Sequence, residues 1–198
     1  MMLPRFYPIF DDPEWLRRTL PLGVKLVQLR IKHCRETLLR TKIAEARDLC
    51  ARHGAVLVVN DHWRLAIELG CDWLHLGQED LDEADPLAIR AAGLKLGIWT
   101  HDDAELDRAL SFNPDYVALG PIYPTFFKTM KWRQQGVERL TAWKARIGDM
   151  PLTAIGGMSV ERAKDAFAAG ADIVSAVTDI TLSDDPENRV RQWLEVCR

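Results

Sequence analysis

The chain has 198 residues, 47% of them hydrophobic, with a formal charge of −3 and a pI near 6.0. That length suits one sizeable core, read as a single domain over residues 1–198, and so weak a net charge supplies no basic field for nucleic acid or an anionic bilayer. Any anionic ligand must be met by a local cluster of cations. No apolar run is long enough to span a membrane, and the N-terminus lacks the basic and apolar regions of a signal peptide; the expectation is a cytoplasmic chain with small-molecule partners. Cys34, Cys50, Cys71 and Cys197 are scattered without a CxxC pair, which reads as reduced thiols and neither a zinc site nor a disulfide frame. Composition says nothing of oligomeric state.

In chain order, eight short apolar runs read as strands: Phe6 to Phe10, Leu26 to Leu29, Val56 to Val59, Trp73 to Leu76, Leu96 to Ile98, Tyr116 to Leu119, Leu152 to Ile155 and Ile173 to Val177. Helical patterns lie between them. Several close on a glycine (Gly23, Gly54, Gly70, Gly93, Gly170) directly before the next apolar run. Asp12-Pro13, Asp85-Pro86 and Asp185-Pro186 each place an oxygen cap before a proline whose missing N–H is harmless in a first turn. The segment after Glu36 carries Leu39, Ile43, Ala46 and Cys50 on one face, as a helix laid on a sheet requires. Eight near-continuous apolar strands alternating with helices imply an α/β fold of the (β/α)8 TIM-barrel class, with parallel strands covered on both faces. An open doubly wound sheet would bring an early Gly-rich turn, and none is present.

The polar residues that follow the strands form a pattern of their own. Gln28, Arg30 and Lys32 follow the second, Asn60 and Asp61 the third, Gln78, Glu79 and Asp80 the fourth, Thr125 and Lys128 the sixth, Gly156 and Gly157 the seventh, and Thr178 the eighth. In a barrel all of these gather at the carboxyl ends of the strands, where the chemistry of such folds sits. Several cations with two separated aspartates able to hold Mg²⁺ suit a pyrophosphate, whose charge must be neutralised on more than one side. The long segment "GPIYPTFFKTMKWRQQG" stands out among short loops and reads as a functional loop over that mouth.

Each piece also has a blander reading. Arg30 and Lys32 could be solvated charges on a strand, Asp61 the cap of a helix starting near Trp63, and Asp80 a plain loop acid. The Gly156-Gly157 pair in "AIGGM" suits close backbone approach to a phosphate, and loops after strands seven and eight often make such sites. His75 in "WLHLG" reads as a hydrogen-bonded core residue, and His101 as a mouth residue or a helix cap.

Taken together, "VQLRIK", "VNDHWRLAI", "LHLGQEDL", "LGIWTHDDAEL", "DYVALGPIYPT" with Lys128, "AIGGMS" and "AGADIVSAVTDI" resemble the thiamine phosphate synthase family over nearly the whole chain. The resemblance implies condensation of hydroxymethylpyrimidine pyrophosphate with thiazole phosphate, giving thiamine phosphate and pyrophosphate through a pyrimidinyl cation. It also implies roles. Gln28 would contact the pyrimidine, and Arg30, Lys32, Asn60 and Lys128 the pyrophosphate, with Arg30, Lys32 and Lys128 assisting its departure. Asp61 and Asp80 would hold Mg²⁺, and Thr125, Gly157, Val177 and Thr178 would surround the thiazole phosphate. The segment from Gly120 to Gly136 would then be the loop that brings Lys128 to the leaving group.

Three positions depart from the family pattern. Trp99 stands where the family usually has serine, Phe127 where it has a hydroxyl residue, and His62 where an arginine is frequent. Two other readings fit the same fold: a thiazole tautomerase-like isomerase, disfavoured because Pro121 and not histidine follows Gly120, and a non-catalytic barrel that binds a phosphorylated metabolite.

Overall fold

In a computed structural model, residues 3–125 and 133–198 are described. Eight parallel strands close into a barrel in the order β1 to β8, each paired with its sequence neighbours and β1 closing on β8. The strands are β1 Phe6–Phe10, β2 Leu26–Leu29, β3 Val56–Asn60, β4 Trp73–Leu76, β5 Lys95–Thr100, β6 Tyr116–Leu119, β7 Leu152–Ala154 and β8 Ile173–Ala176. Between and after them run α1 Pro13–Thr19, α2 Glu36–His53, α3 Trp63–Glu68, α4 Pro86–Ala91, α5 Asp103–Ser111, α6 Val137–Ile147, α7 Val160–Ala168, α8 Thr178–Thr181 and α9 Pro186–Val196.

All eight expected strands are present, and the differences lie at their ends. β3 includes Asn60 because it pairs with His75 of β4. β5 runs on to Thr100, whose hydroxyl donates to the Ala118 carbonyl at 2.8 Å and so needs no water. β7 stops at Ala154, before the positive-φ Gly156-Gly157 pair, and β8 stops at Ala176 because Val177 turns the chain into α8. The three Asp-Pro helix starts behave as expected. Asp12 accepts from the Glu14 amide, Asp85 from those of Leu87 and Ala88, and Asp185 from that of Asn188, each satisfying first-turn donors that the helix cannot.

Because side chains alternate across a strand, the barrel has two apolar layers. The outer one joins strands to helices and includes Phe10, Ile43, Val59, Ile98, Trp143 and Trp193. Leu39, Ile43, Ala46 and Cys50 of α2 are all buried against it, as their spacing required. Truncating a side chain such as Ile43, 1% exposed, costs about 2–5 kcal/mol in a layer of this kind. The inner layer holds Tyr7, Leu26, Val58, Trp73, Tyr116 and Ile173. Gln28, Asn60, His75, Thr153 and Ser175 are buried polar residues on these strands, so the barrel is apolar around its wall but carries polar groups within it. No described helix is long and apolar enough to cross a membrane.

Candidate active site

The mouth is built from strand ends and the first residues beyond them. On β2, Gln28 is 1% exposed, while Arg30 just past the strand is half-buried and Lys32 exposed. The period-two placement of the three residues thus becomes a gradient from the barrel interior to its rim. After β3 the backbone turns sharply. Asp61 adopts φ 64, an uncommon conformation for a residue with a side chain, and its carboxylate forms an ion pair with the Lys32 ammonium. The capping alternative for Asp61 does not hold: the residue preceding α3 is His62, whose Nε2 lies 3.1 Å from the Ile31 carbonyl oxygen, and α3 has no side-chain cap.

Asp80 lies in a 3-10 turn after β4, where its Oδ2 accepts from the Gly77 amide at 3.0 Å. Burial, and then the carboxylate of Asp61 facing it, holds its carboxyl above the ordinary range, opposed by the Gly77 hydrogen bond and the Lys32 charge. The structure therefore brings Asp61 and Asp80 together, as the sequence reading required. Among the described residues, two carboxylates turned on one another with Lys32 on one of them form a donor set short of positive charge. Among the described residues no cluster of three or more His, Cys, Asp or Glu side chains forms. The pair fits Mg²⁺, which takes one or two carboxylates and completes its octahedron with water and substrate oxygens, better than a metal that needs a full protein cage.

Across the mouth, the β6–α6 loop packs on the β7–α7 turn. The Ile122 amide donates to the Ile155 carbonyl at 2.9 Å and that of Tyr123 to Gly156 at 3.1 Å. The two glycines of "AIGGM" are required by this packing: a Cβ on Gly156 would sit 2.6 Å from Pro121 Cα, and one on Gly157 2.5 Å from the Pro124 carbonyl oxygen. Close approach is the reason for glycine here, but the approaching partner is the neighbouring loop. The contact places Gly157 against Pro124, the residue before the half-buried Thr125. Arg162 of α7 donates to the Gly157 carbonyl and lies over the Tyr123 ring, 4.6 Å from its centroid. This cation escaped the sequence reading because it sits inside a helical pattern. Val177 and Thr178, both half-buried, begin α8 at the end of β8. Lys128, Phe126 and Phe127 lie outside the described residues.

Trp99 is half-buried and belongs to the inner layer; its carbonyl accepts from Gln78 Nε2 at 2.8 Å, and its indole Nε1 is buried without a described partner. His101 does not cap α5. Asp102 does so, accepting from the Glu105 amide, while His101 Nδ1 meets Glu105 at 2.7 Å.

Below the mouth runs a chain of buried hydrogen bonds. Gln28 Nε2 donates to the Tyr7 hydroxyl at 2.8 Å, the Tyr7 and Tyr116 hydroxyls are 2.9 Å apart, and the Tyr116 hydroxyl lies 2.8 Å from His75 Nδ1. Burial pushes the His75 imidazole down to about 4, with the Asp61 carboxylate opposing and Arg30 adding to the shift, so the ring is neutral at neutral pH. The expectation that His75 is a hydrogen-bonded core residue is met. Tyr7 and Tyr116 were read from sequence only as apolar strand residues, since nothing in their spacing signals an inward hydroxyl.

A closed parallel barrel whose mouth combines facing carboxylates and cations at the carboxyl ends of its strands places the chain in the (β/α)8 class, whose enzymes work at that mouth. A family model described as thiamine monophosphate synthase matches residues 7–180. A thiamine-phosphate synthase from Rhizobium etli is 58% identical over 194 residues, covering 98% of this chain and 95% of the relative. One from Cronobacter sakazakii is 46% identical over 190 residues, 96% and 90% of the two chains. The solved structure of a thiamine phosphate pyrophosphorylase from Pyrococcus furiosus superposes with a TM-score of 0.86 at 23% identity, over 98% of this chain and 95% of that one, which shows the shared fold. The chain belongs to the thiamine monophosphate synthase family and is a transferase of thiamine biosynthesis.

Proposed function

We propose that one barrel domain condenses hydroxymethylpyrimidine pyrophosphate with thiazole phosphate at this mouth, releasing thiamine phosphate and pyrophosphate, and that it does so in the cytoplasm with Mg²⁺. Asp61 and Asp80 hold the ion, which supplies charge neutralisation on the departing pyrophosphate. Arg30, Lys32, Asn60 and Lys128 bind the same group from the other sides, with the three cations taking up the charge that develops as the carbon–oxygen bond breaks. Gln28 holds the pyrimidine within the barrel. Thr125, Gly157, Val177 and Thr178 hold the thiazole phosphate so that the ring nitrogen faces the pyrimidinyl cation, and positioning of two substrates supplies much of the rate. No protein nucleophile takes part.

The observation that carries this reading is the Asp61–Asp80 pair facing across the mouth beside Lys32. Calorimetry with the pyrimidine pyrophosphate, with and without Mg²⁺, tests it. Binding should tighten with the metal, and Asp80→Ala should remove the difference. Metal-independent binding would favour the non-catalytic phosphometabolite barrel. The isomerase reading loses ground to relatives at 58% and 46% identity that are thiamine-phosphate synthases.

A further inference from the structure

One guanidinium in the outer helices ties together two turns of the mouth. Arg189 of α9 carries five N–H donors in a fixed plane, and every one of them is used. Nε donates to Asp179 Oδ2 and Nη2 to Asp179 Oδ1, both at 2.8 Å. Nη1 and Nη2 donate to Glu161 at 3.0 and 2.9 Å, and Nη1 also donates to Gln192 Oε1 at 2.8 Å. Each carboxylate is thus held by a pair of charge-assisted bonds, which fixes its angle as well as its distance. Asp179 accepts once more, from the indole of the fully buried Trp193 at 2.7 Å.

The two acids sit at telling places in the fold. Glu161 lies in the first turn of α7, just after the Gly156-Gly157 turn, and Asp179 in the first turn of α8, next to Thr178. α8 has four residues, too few to hold a direction of its own, and no side chain caps it. It is fastened by the fully buried Ile180 and by the Asp179 carboxylate, which faces α9. Asp179 and Arg189 are 15% and 19% exposed, so solvent screens their pairing only in part. In the barrel order β7 and β8 stand opposite β3 and β4, the strands that lead to Asp61 and Asp80.

We propose that Arg189, Asp179 and Glu161 are positioning residues: they set the spacing of the β7–α7 and β8–α8 turns, and so govern the affinity for thiazole phosphate from outside its site. The proposal rests on the role given above to Gly157, Val177 and Thr178. Steady-state kinetics with each substrate varied in turn test it. Arg189→Lys keeps the charge but cannot fork onto two carboxylates. It should raise KM for thiazole phosphate about tenfold, with kcat and KM for the pyrimidine pyrophosphate unchanged. Arg189→Met also leaves two acids without their cation beside a phosphate site, so the same KM should rise further. Asp179→Asn keeps an acceptor for Trp193 but weakens the grip, and should move that constant and no other. If Arg189→Met does not fold, Arg189→Lys and Asp179→Asn still decide the matter. A thiazole phosphate KM within about twofold of wild type in both overturns the proposal. An equal rise for both substrates also overturns it, marking a role in stability alone. A wild-type protein that makes no thiamine phosphate refutes the synthase reading, a separate outcome; calorimetry with thiazole phosphate then reads the same ratios without turnover, and no binding by the wild type overturns both.

Discussion

Replacing Gly97 with alanine tests the packing beneath the mouth quantitatively. Gly97 of β5 is not among the positive-φ glycines, so alanine fits its backbone and the effect is steric. An added Cβ would lie 2.0 Å from Tyr116 Cζ, 2.2 Å from Cε1 and 2.4 Å from the hydroxyl oxygen. Carbon contacts of about 3.5–4.0 Å are ordinary, so the ring must retreat by more than an ångström. It has nowhere to go, being fully buried beside Tyr7, Trp73 and His75. Overpacking of this kind costs roughly 1–3 kcal/mol. Losing the bonds to Tyr7 and His75 adds roughly 0.5–1.5 kcal/mol each, for an expected loss of about 2–6 kcal/mol. For a chain of this size that lowers Tm by roughly 10 °C. Urea titration followed by circular dichroism should show a lower midpoint at unchanged slope. Tyr116→Leu in the same chain should recover part of the loss, giving a non-additive cycle. A single-variant loss under about 1 kcal/mol, or strict additivity, would refute this account of Gly97.

Other outcomes follow from the site. Asp80→Asn should raise Tm in the presence of a chelator: the carboxyl value is raised by burial and by Asp61, so its ionised form opposes folding increasingly as pH rises through the carboxylate range. The same variant should lose the additional stabilisation that Mg²⁺ and pyrophosphate together confer on the wild type. Arg30→Ala and Lys128→Ala should lower kcat more than they raise KM, read by initial rates, because in the proposed mechanism they act on charge that appears as the leaving group departs. Trp99→Ser should leave the fold intact, and an increase in turnover would identify the indole as an obstruction. Glu161 is held at about 2, mainly by Arg189 and then by Ser159. A depressed carboxylate contributes stability above about pH 4.5 that is lost as pH falls toward 2, so Glu161→Gln should flatten acid unfolding in that window.

The barrel was legible in the sequence because its signals are local. Apolar strand runs, Asp-Pro caps and helix-closing glycines each follow from one segment's own chemistry, and five helix-to-strand glycines do take positive φ. The rim residues could be placed from topology alone, since any polar residue after a parallel strand faces the same mouth. What could not be read was orientation in three dimensions. Tyr7 and Tyr116 are 109 residues apart, and only barrel closure brings their hydroxyls to 2.9 Å. The Gly156-Gly157 pair was read for ligand approach, whereas its first requirement is the loop carrying Pro121 and Pro124. Taken alone, Asp61 read more readily as a helix cap than as a metal ligand; its left-handed backbone instead turns it toward Lys32 and Asp80.

In the proposed reaction, facing carboxylates and rim cations draw a diphosphate away from a pyrimidine. Incubating the purified protein with both substrates, with and without Mg²⁺, and following pyrophosphate and thiamine phosphate together tests this most directly. Equimolar appearance of the two products, abolished by chelation and by Asp61→Asn, is the expected result. Undiminished product formation in that variant, or both substrates binding with no coupled product, would contradict it.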